Sequence, residues 1–116
     1  MALPTFKNLA VMTVSGTPGT GTITLGAAVP PYLSLTDAGI LTGQKVTYSI
    51  IDGTSCSEIG QGTYTTSGTT LTRDTVYRST GSGNTAKISV SSAAIVEITI
   101  AAEDVLNLIT PNFRNI

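Results

Sequence analysis

The sequence predicts an all-β domain, and three observations carry that prediction. Thr is the commonest residue, with Gly, Ser, Ile, Val and Ala behind it. β-Branched side chains lose rotamer freedom in a helix and pack well on a pleated sheet. Apolar and polar residues alternate, most cleanly where Val46, Tyr48 and Ile50 interleave with Thr47 and Ser49 before an Asp52-Gly53 turn signal. Turn-forming clusters recur along the chain, among them Ser15-Gly16-Thr17-Pro18-Gly19 and Gly81-Ser82-Gly83-Asn84. About seven short strands with regular turns imply a single-domain antiparallel β-sandwich or small barrel.

The elements follow in order. Residues 1–9 read as an extended N-terminal arm, with Leu3, Phe6 and Leu9 apolar but without a clear period and Pro4 opposing a helix. Such an arm docks on its own body or on a neighbour. Residues 10–101 form the β domain. Its first strands are Ala10 to Val14 and Gly21 to Leu25, the latter with Ile23 and Leu25 inward and Thr22 and Thr24 outward. Val29-Pro30-Pro31-Tyr32 predicts an extended segment, because each proline restrains itself and the residue before it. Leu33 to Ile40 allows one helical turn. Lys45 to Ile51 is the central strand and Cys56 to Tyr64 its hairpin partner, where Gly60 and Gly62 signal a bulge or a close backbone approach. Leu71 to Arg78 is the next strand, with Arg73 and Asp74 on opposite faces. Ala86 to Ser91 places Ile88 and Val90 inward, and Ala94 to Ala101 places Val96, Ile98 and Ile100 inward against Glu97 and Thr99. Residues 102–116 form a C-terminal arm or a short helix that opens on Glu103 and Asp104, where the helix dipole favours acids, and closes at Pro111.

The totals narrow the function. The chain has 116 residues, enough for one core, and 41% of them are apolar. Only 11% are charged, against the usual quarter or so of a globular domain. A Thr-rich sheet with so few charges is poorly protected against edge association, which suggests edges and apolar faces covered in an assembly. The net charge of −1 argues against nucleic acid as the main partner. No apolar run approaches the ~18 residues of a membrane span. The start lacks a basic region followed by an apolar one, so synthesis in a cytoplasm without a secretion signal is expected.

Catalytic and metal chemistry finds few candidates. There is no His, the usual general base and metal ligand. Asp52, Glu58, Asp74, Glu97, Glu103 and Asp104 lack calcium-loop spacing and read as surface carboxylates. Lys45 and Lys87 read as outward charges. Gly16 to Thr22 lacks the lysine of a phosphate loop and reads as a hairpin turn. Cys56 is the only cysteine, without a cationic neighbour, and reads as an inert thiol. Tyr32, Tyr48, Tyr64 and Tyr77 read first as packing residues, with Tyr32 and Tyr77 the candidates for stacking on a glycan. No catalytic residue, metal or cofactor is expected.

The order of several strings carries more. Gly19-Thr20-Gly21-Thr22-Ile23-Thr24-Leu25-Gly26-Ala27, Val46 to Gly53, Glu58-Ile59-Gly60-Gln61-Gly62-Thr63-Tyr64, Thr70-Leu71-Thr72-Arg73-Asp74-Thr75-Val76 and Ser79-Thr80-Gly81 succeed one another. In that order the chain resembles a small β module of tailed-bacteriophage virion proteins, found in head-decoration, head-fibre and tail-fibre components. Ser57 departs from the pattern, standing where similar modules carry an aromatic residue just before the Glu-Ile/Val-Gly string. The resemblance implies a virion structural protein without catalytic residues. The small size favours a capsid decoration or head-fibre component over a receptor-binding fibre. Expected partners are other virion proteins of capsid, neck or fibre and further copies of the chain, a trimer being one such arrangement. The expected contact residues are Leu3, Phe6, Leu9, Val105, Leu106, Leu108, Ile109 and Phe113. The alternative is a small tail- or baseplate-associated protein that binds host glycans through Tyr32 or Tyr77.

Overall fold

The structure, a computed structural model, describes residues 4–113, with side-chain surroundings given for residues 4–108. Seven strands, β1 (Val11–Val14), β2 (Ile23–Ala28), β3 (Lys45–Asp52), β4 (Cys56–Thr65), β5 (Thr70–Leu71), β6 (Thr75–Ser79) and β7 (Ala94–Ile98), precede one helix, α1 (Ala102–Phe113). All strand pairs are antiparallel, in the order β3-β7-β1-β2-β5-β4-β6. Because β4 also pairs with β3, the ladder from β3 round to β4 returns on itself. This is the small-barrel form of the predicted all-β fold. Closure pairs six of the strands on both sides, while β6 pairs only with β4 and keeps an outer edge.

Alternation decides the interior. Val46, Tyr48 and Ile50 of β3, Val96 of β7, Ile23 of β2 and Leu71 of β5 are fully buried. Loop residues complete the core: Leu35 and Ile40 from the connection before β3, and Ile88 and Val90 from the segment before β7. The Leu33–Ile40 stretch makes the one expected turn, with the Ala38 N–H donating to the Ser34 carbonyl.

Several expectations need correction. Leu71 to Arg78 is not one strand. It breaks at 72–74 between β5 and β6, where Arg73 turns into the interior. Ala86 to Ser91 keeps Ile88 and Val90 inward but joins the sheet only by an isolated Gly19–Val90 bridge. Val29 to Tyr32 turns instead of running extended: the Tyr32 N–H donates to the Val29 carbonyl and the Pro30–Pro31 peptide is cis. A proline's fixed φ suits the second position of a β-turn as well as an extended segment. Ile100 lies outside, 58% exposed, because β7 ends at Ile98 and its alternation ends there. The C-terminal segment is helical, and α1 does not close at Pro111 but runs on to Phe113.

Gly60 and Gly62 do what close approach requires. They face inward between Glu58 and Tyr64 on β4. A Cβ on Gly62 would lie 1.8 Å from the Thr72 carbonyl oxygen, and one on Gly60 would lie 2.2 Å from that of Thr75. The chain between β5 and β6 therefore crosses directly against the β4 backbone. Opposite Gly60 the β4–β6 register slips, leaving Tyr77 as the extra residue of a bulge. Gly62→Ala should destabilise the protein by about 3 kcal/mol through overpacking. Gly21→Ala, whose Cβ would sit 3.4 Å from its nearest neighbour, should be nearly neutral, and urea titration of both variants checks the difference.

Candidate functional site

Two clusters of polar or exposed groups could carry a function, and burial separates them. The first lies inside the barrel. Glu58 and Arg73 form an ion pair whose side chains are 0% and 1% exposed. Arg73 Nε donates to Glu58 Oε2 at 2.9 Å and Nη2 to Oε1 at 2.6 Å. Tyr48 Oη donates to Oε2 at 2.6 Å and the Ile88 N–H to Oε1 at 3.0 Å. Arg73 also reaches the carbonyls of Ile88, Gly19 and Gly21 at 2.7, 2.9 and 3.3 Å, so all five of its donors are satisfied.

The electrostatics of this cluster are those of a structural tie. Burial pushes the Glu58 carboxyl upward. Hydrogen bonds from Arg73, Tyr48 and the Ile88 amide, with the Arg73 charge, outweigh burial and hold it below the usual carboxylate range. Burial, then the hydrogen bond to Glu58 and the Glu58 charge, drive the Tyr48 phenol well above its ordinary value. The Glu58 side chain is fully buried and each of its oxygens accepts two hydrogen bonds from within the barrel. The pair is a tie between segments.

The second cluster is on the surface. The segment 4–9 is held to the barrel by the Thr5 N–H, which donates to the Lys45 carbonyl at 2.7 Å. β3 has a free edge there, because β7 pairs it only from Tyr48 onward. Beyond β7 the Thr99 N–H continues that edge by donating to the Thr47 carbonyl at 3.0 Å, and the chain then enters α1. Phe6 from the arm, Ile100 from the β7–α1 connection and Val105 and Leu108 from α1 enclose a groove of about 220 Å³. Asp104 also borders it. It is 2% exposed, and its Oδ2 accepts from Thr47 Oγ1 at 2.6 Å and from the Ala101 N–H at 3.0 Å.

The expected contact residues divide accordingly. Phe6, Val105 and Leu108 come together in the groove. Leu9 and Leu106 are exposed, 60% and 57%, but do not line it. Leu3 and the side chains of Ile109 and Phe113 lie outside the described residues. Sequence reasoning missed Ile100, because it was assigned to the inward face of β7. It also read Asp52, Glu58 and Asp104 as surface carboxylates, whereas all three are buried. Asp52 accepts from the Ser91 N–H and Oγ, both at 2.8 Å, and so fixes the entry to β7. The signal that was available is position: Glu58 and Asp52 fall on the inward phase of their strands.

The glycan candidates are not gathered. Tyr32 is 43% exposed and Tyr77 is half-buried in its bulge. There burial, and then the charges of Asp104 and Glu103, raise the Tyr77 phenol. Neither lines the groove or either of two shallow hollows on the outer face of β3 and β4. Ser57 borders both hollows, so the position of the missing aromatic is open surface. Cys56 is half-buried, and its thiol is raised by burial first and by the Asp52 charge second, as suits an unreactive side chain. Among the described residues no three His, Cys, Asp or Glu are grouped to hold a metal ion, and no helix is long and apolar enough to cross a membrane. No protein-family model, curated protein sequence or solved structure matches this chain.

The ion pair has a measurable pH signature. Glu58 titrates lower in the folded chain than in the unfolded chain, so its stabilisation is complete above the unfolded value of ~4.3 and fades as pH falls through the folded value. Asp74 acts in the same direction. Burial raises it, but the hydroxyls of Thr72 and Thr63 and the Lys45 ammonium lower it further. Urea midpoints should therefore fall between about pH 7 and about pH 3. Arg73→Met should cost about 3–5 kcal/mol at neutral pH by stranding the Glu58 carboxylate. The double variant Glu58→Leu/Arg73→Met should recover much of that loss and show a shallower pH slope.

Proposed function

We propose that this protein is a non-catalytic structural component of a tailed-phage virion, a decoration or head-fibre element that binds neighbouring virion proteins through the face built by its N-terminal arm and α1. The observation that carries the reading is the groove itself. Phe6, Ile100, Val105 and Leu108 are large, apolar and partly or largely exposed, and they are contiguous. A contiguous apolar surface on an otherwise closed barrel marks a place where another protein sits. The low charge supports the same reading, since 11% charged residues leave little repulsion to keep copies apart.

The interior supports it from the other side. The Glu58–Arg73 pair is sealed and fully hydrogen-bonded, so its chemistry is directed to holding the barrel's own segments together. The ordered strings behind the phage resemblance also place the residues of that tie, Glu58 and Arg73, in two of its segments. A glycan-binding role gains no comparable support, because Tyr32 and Tyr77 border none of the three hollows.

The test is co-purification. A tagged copy expressed in its source cells should be recovered on phage particles, at heads or necks in electron micrographs. Val105→Asp should abolish that recovery while shifting stability by less than about 0.5 kcal/mol, since Val105 is 46% exposed. Recovery of the tagged protein only in the particle-free fraction would rule the reading out.

A further inference from the structure

The N-terminal arm joins the barrel through a strained residue. Leu9 has φ +67°, and a bulky side chain in that left-handed region is costly. Thr69 and Asn84 also have positive φ, but their settings differ. Thr69 is fixed inside the turn between β4 and β5, its N–H donating to the Thr66 carbonyl and its own carbonyl accepting from Leu25. Asparagine is a type that tolerates the region. Leu9 instead stands where a fastened segment meets a lightly held one. On one side Ala10 is buried and bridges Leu33, and the Val11 N–H donates to the Leu33 carbonyl at 3.1 Å. On the other, residues 6–9 are exposed, and residues 4–8 are held by Thr5 on Lys45 and Val46 and by Phe6 in the groove. Leu9 itself is 60% exposed, so burial of its side chain does little to offset the strain.

We propose that residues 4–8 are exchanged between copies of this chain: the arm swings out about Leu9 and takes, on a second copy, the seat it holds on its own barrel. The inference rests on the reading above that this face works between proteins, and it names a second copy as the occupant. The fit of that occupant is shown by the seat as it stands filled. Thr5 lies on the stretch of β3 edge that β7 leaves free, and Phe6 lies against Ile100, Val105 and Leu108. An identical arm from another copy makes the same contacts, so exchange sacrifices none of them. What changes is the hinge. Once the arm is open, Leu9 returns to negative φ and its strain is released. Opposing that gain is the freedom lost on association, a cost that falls as copies are concentrated. Residues 4–8 in extended form reach about 17 Å, enough to cross to a barrel packed alongside. Reciprocal exchange joins two copies about a two-fold axis.

The hinge makes the test directional, read by sedimentation velocity on the full-length chain over a concentration series. Leu9→Gly accepts the closed conformation without strain and should weaken dimerisation roughly tenfold or more. Leu9→Pro cannot adopt a positive φ and should strengthen dimerisation by roughly the same factor. A second measurement does not depend on the hinge variants. On a Cys56→Ser background, Phe6→Cys and Val105→Cys are placed in separate chains, which are mixed at high concentration and oxidised. A disulfide between the two kinds of chain forms when the arm of one lies on α1 of the other, so the mixed dimer should exceed both like-with-like dimers on a non-reducing gel. Adding Leu9→Gly to the Phe6→Cys chain should reduce it. A mixed dimer no more abundant than the like-with-like ones, or a chain that is monomeric in every form, overturns the proposal. Failure here is distinct from failure of the virion reading: a chain that keeps its arm closed but is recovered on phage particles loses the exchange and keeps that role.

Discussion

The barrel depends on one buried charge pair. Glu58 and Arg73 lie far apart in sequence, and their contact also gathers Tyr48 of β3, the carbonyls of Gly19 and Gly21 and both backbone groups of Ile88. The chain around Gly19, Gly21 and Ile88 carries little of the sheet, so its inward backbone groups need partners that the ladder does not supply. A guanidinium with five donors and a carboxylate with two oxygens supply them. The net stabilisation from such a pair is small, but its removal is expensive, because each partner left alone would be a buried charge. The pair therefore acts mainly as a specification. It sets which loops close over the barrel and how they are oriented.

That specification depends in turn on the absence of side chains. Arg73 enters the interior because the 72–74 segment leaves the β5 line and lies against β4, and this is possible only where β4 has Gly60 and Gly62. The same departure produces the register slip that re-aims Tyr77 toward the start of α1. Interior and exterior are thus coupled through a few residues of β4. The surface groove has a separate origin, the mismatch in length between β3 and β7. Thr5 and Thr99 fill the edge that β7 leaves free, and they bring the arm and α1 to the same place.

Legibility followed the range of the interactions. The strands expected at Lys45 to Ile51 and Cys56 to Tyr64, each one residue longer in the structure, were evident because alternation and an Asp-Gly turn are local signals. The inward phase of Ile23, Leu25, Ile88 and Val90 was evident for the same reason, even where Ile88 and Val90 are in no strand. The burial of Glu58 was hidden, since a charged residue on an inward phase can be reconciled only with a partner fifteen positions away. Ile100 was misplaced because alternation does not announce where a strand stops. Of the groove, Phe6, Val105 and Leu108 were recognised as exposed apolar residues, but Asp104 was not, because its burial depends on Thr47 and the packing of α1.

The sequence by itself determined the class of this protein: all-β, one small domain, poor in charge, without histidine, and with apolar residues left over at both ends. Those properties follow from composition and short-range periodicity, which need no knowledge of what lies across the sheet. Only the tertiary structure decided that the strands close into a barrel and that Glu58 and Arg73 meet inside it. It also decided that the segment 4–9 and α1 converge on one groove bordered by the buried Asp104. Each of these is a contact between distant segments, and a contact of that kind exists only once the whole chain has found its register.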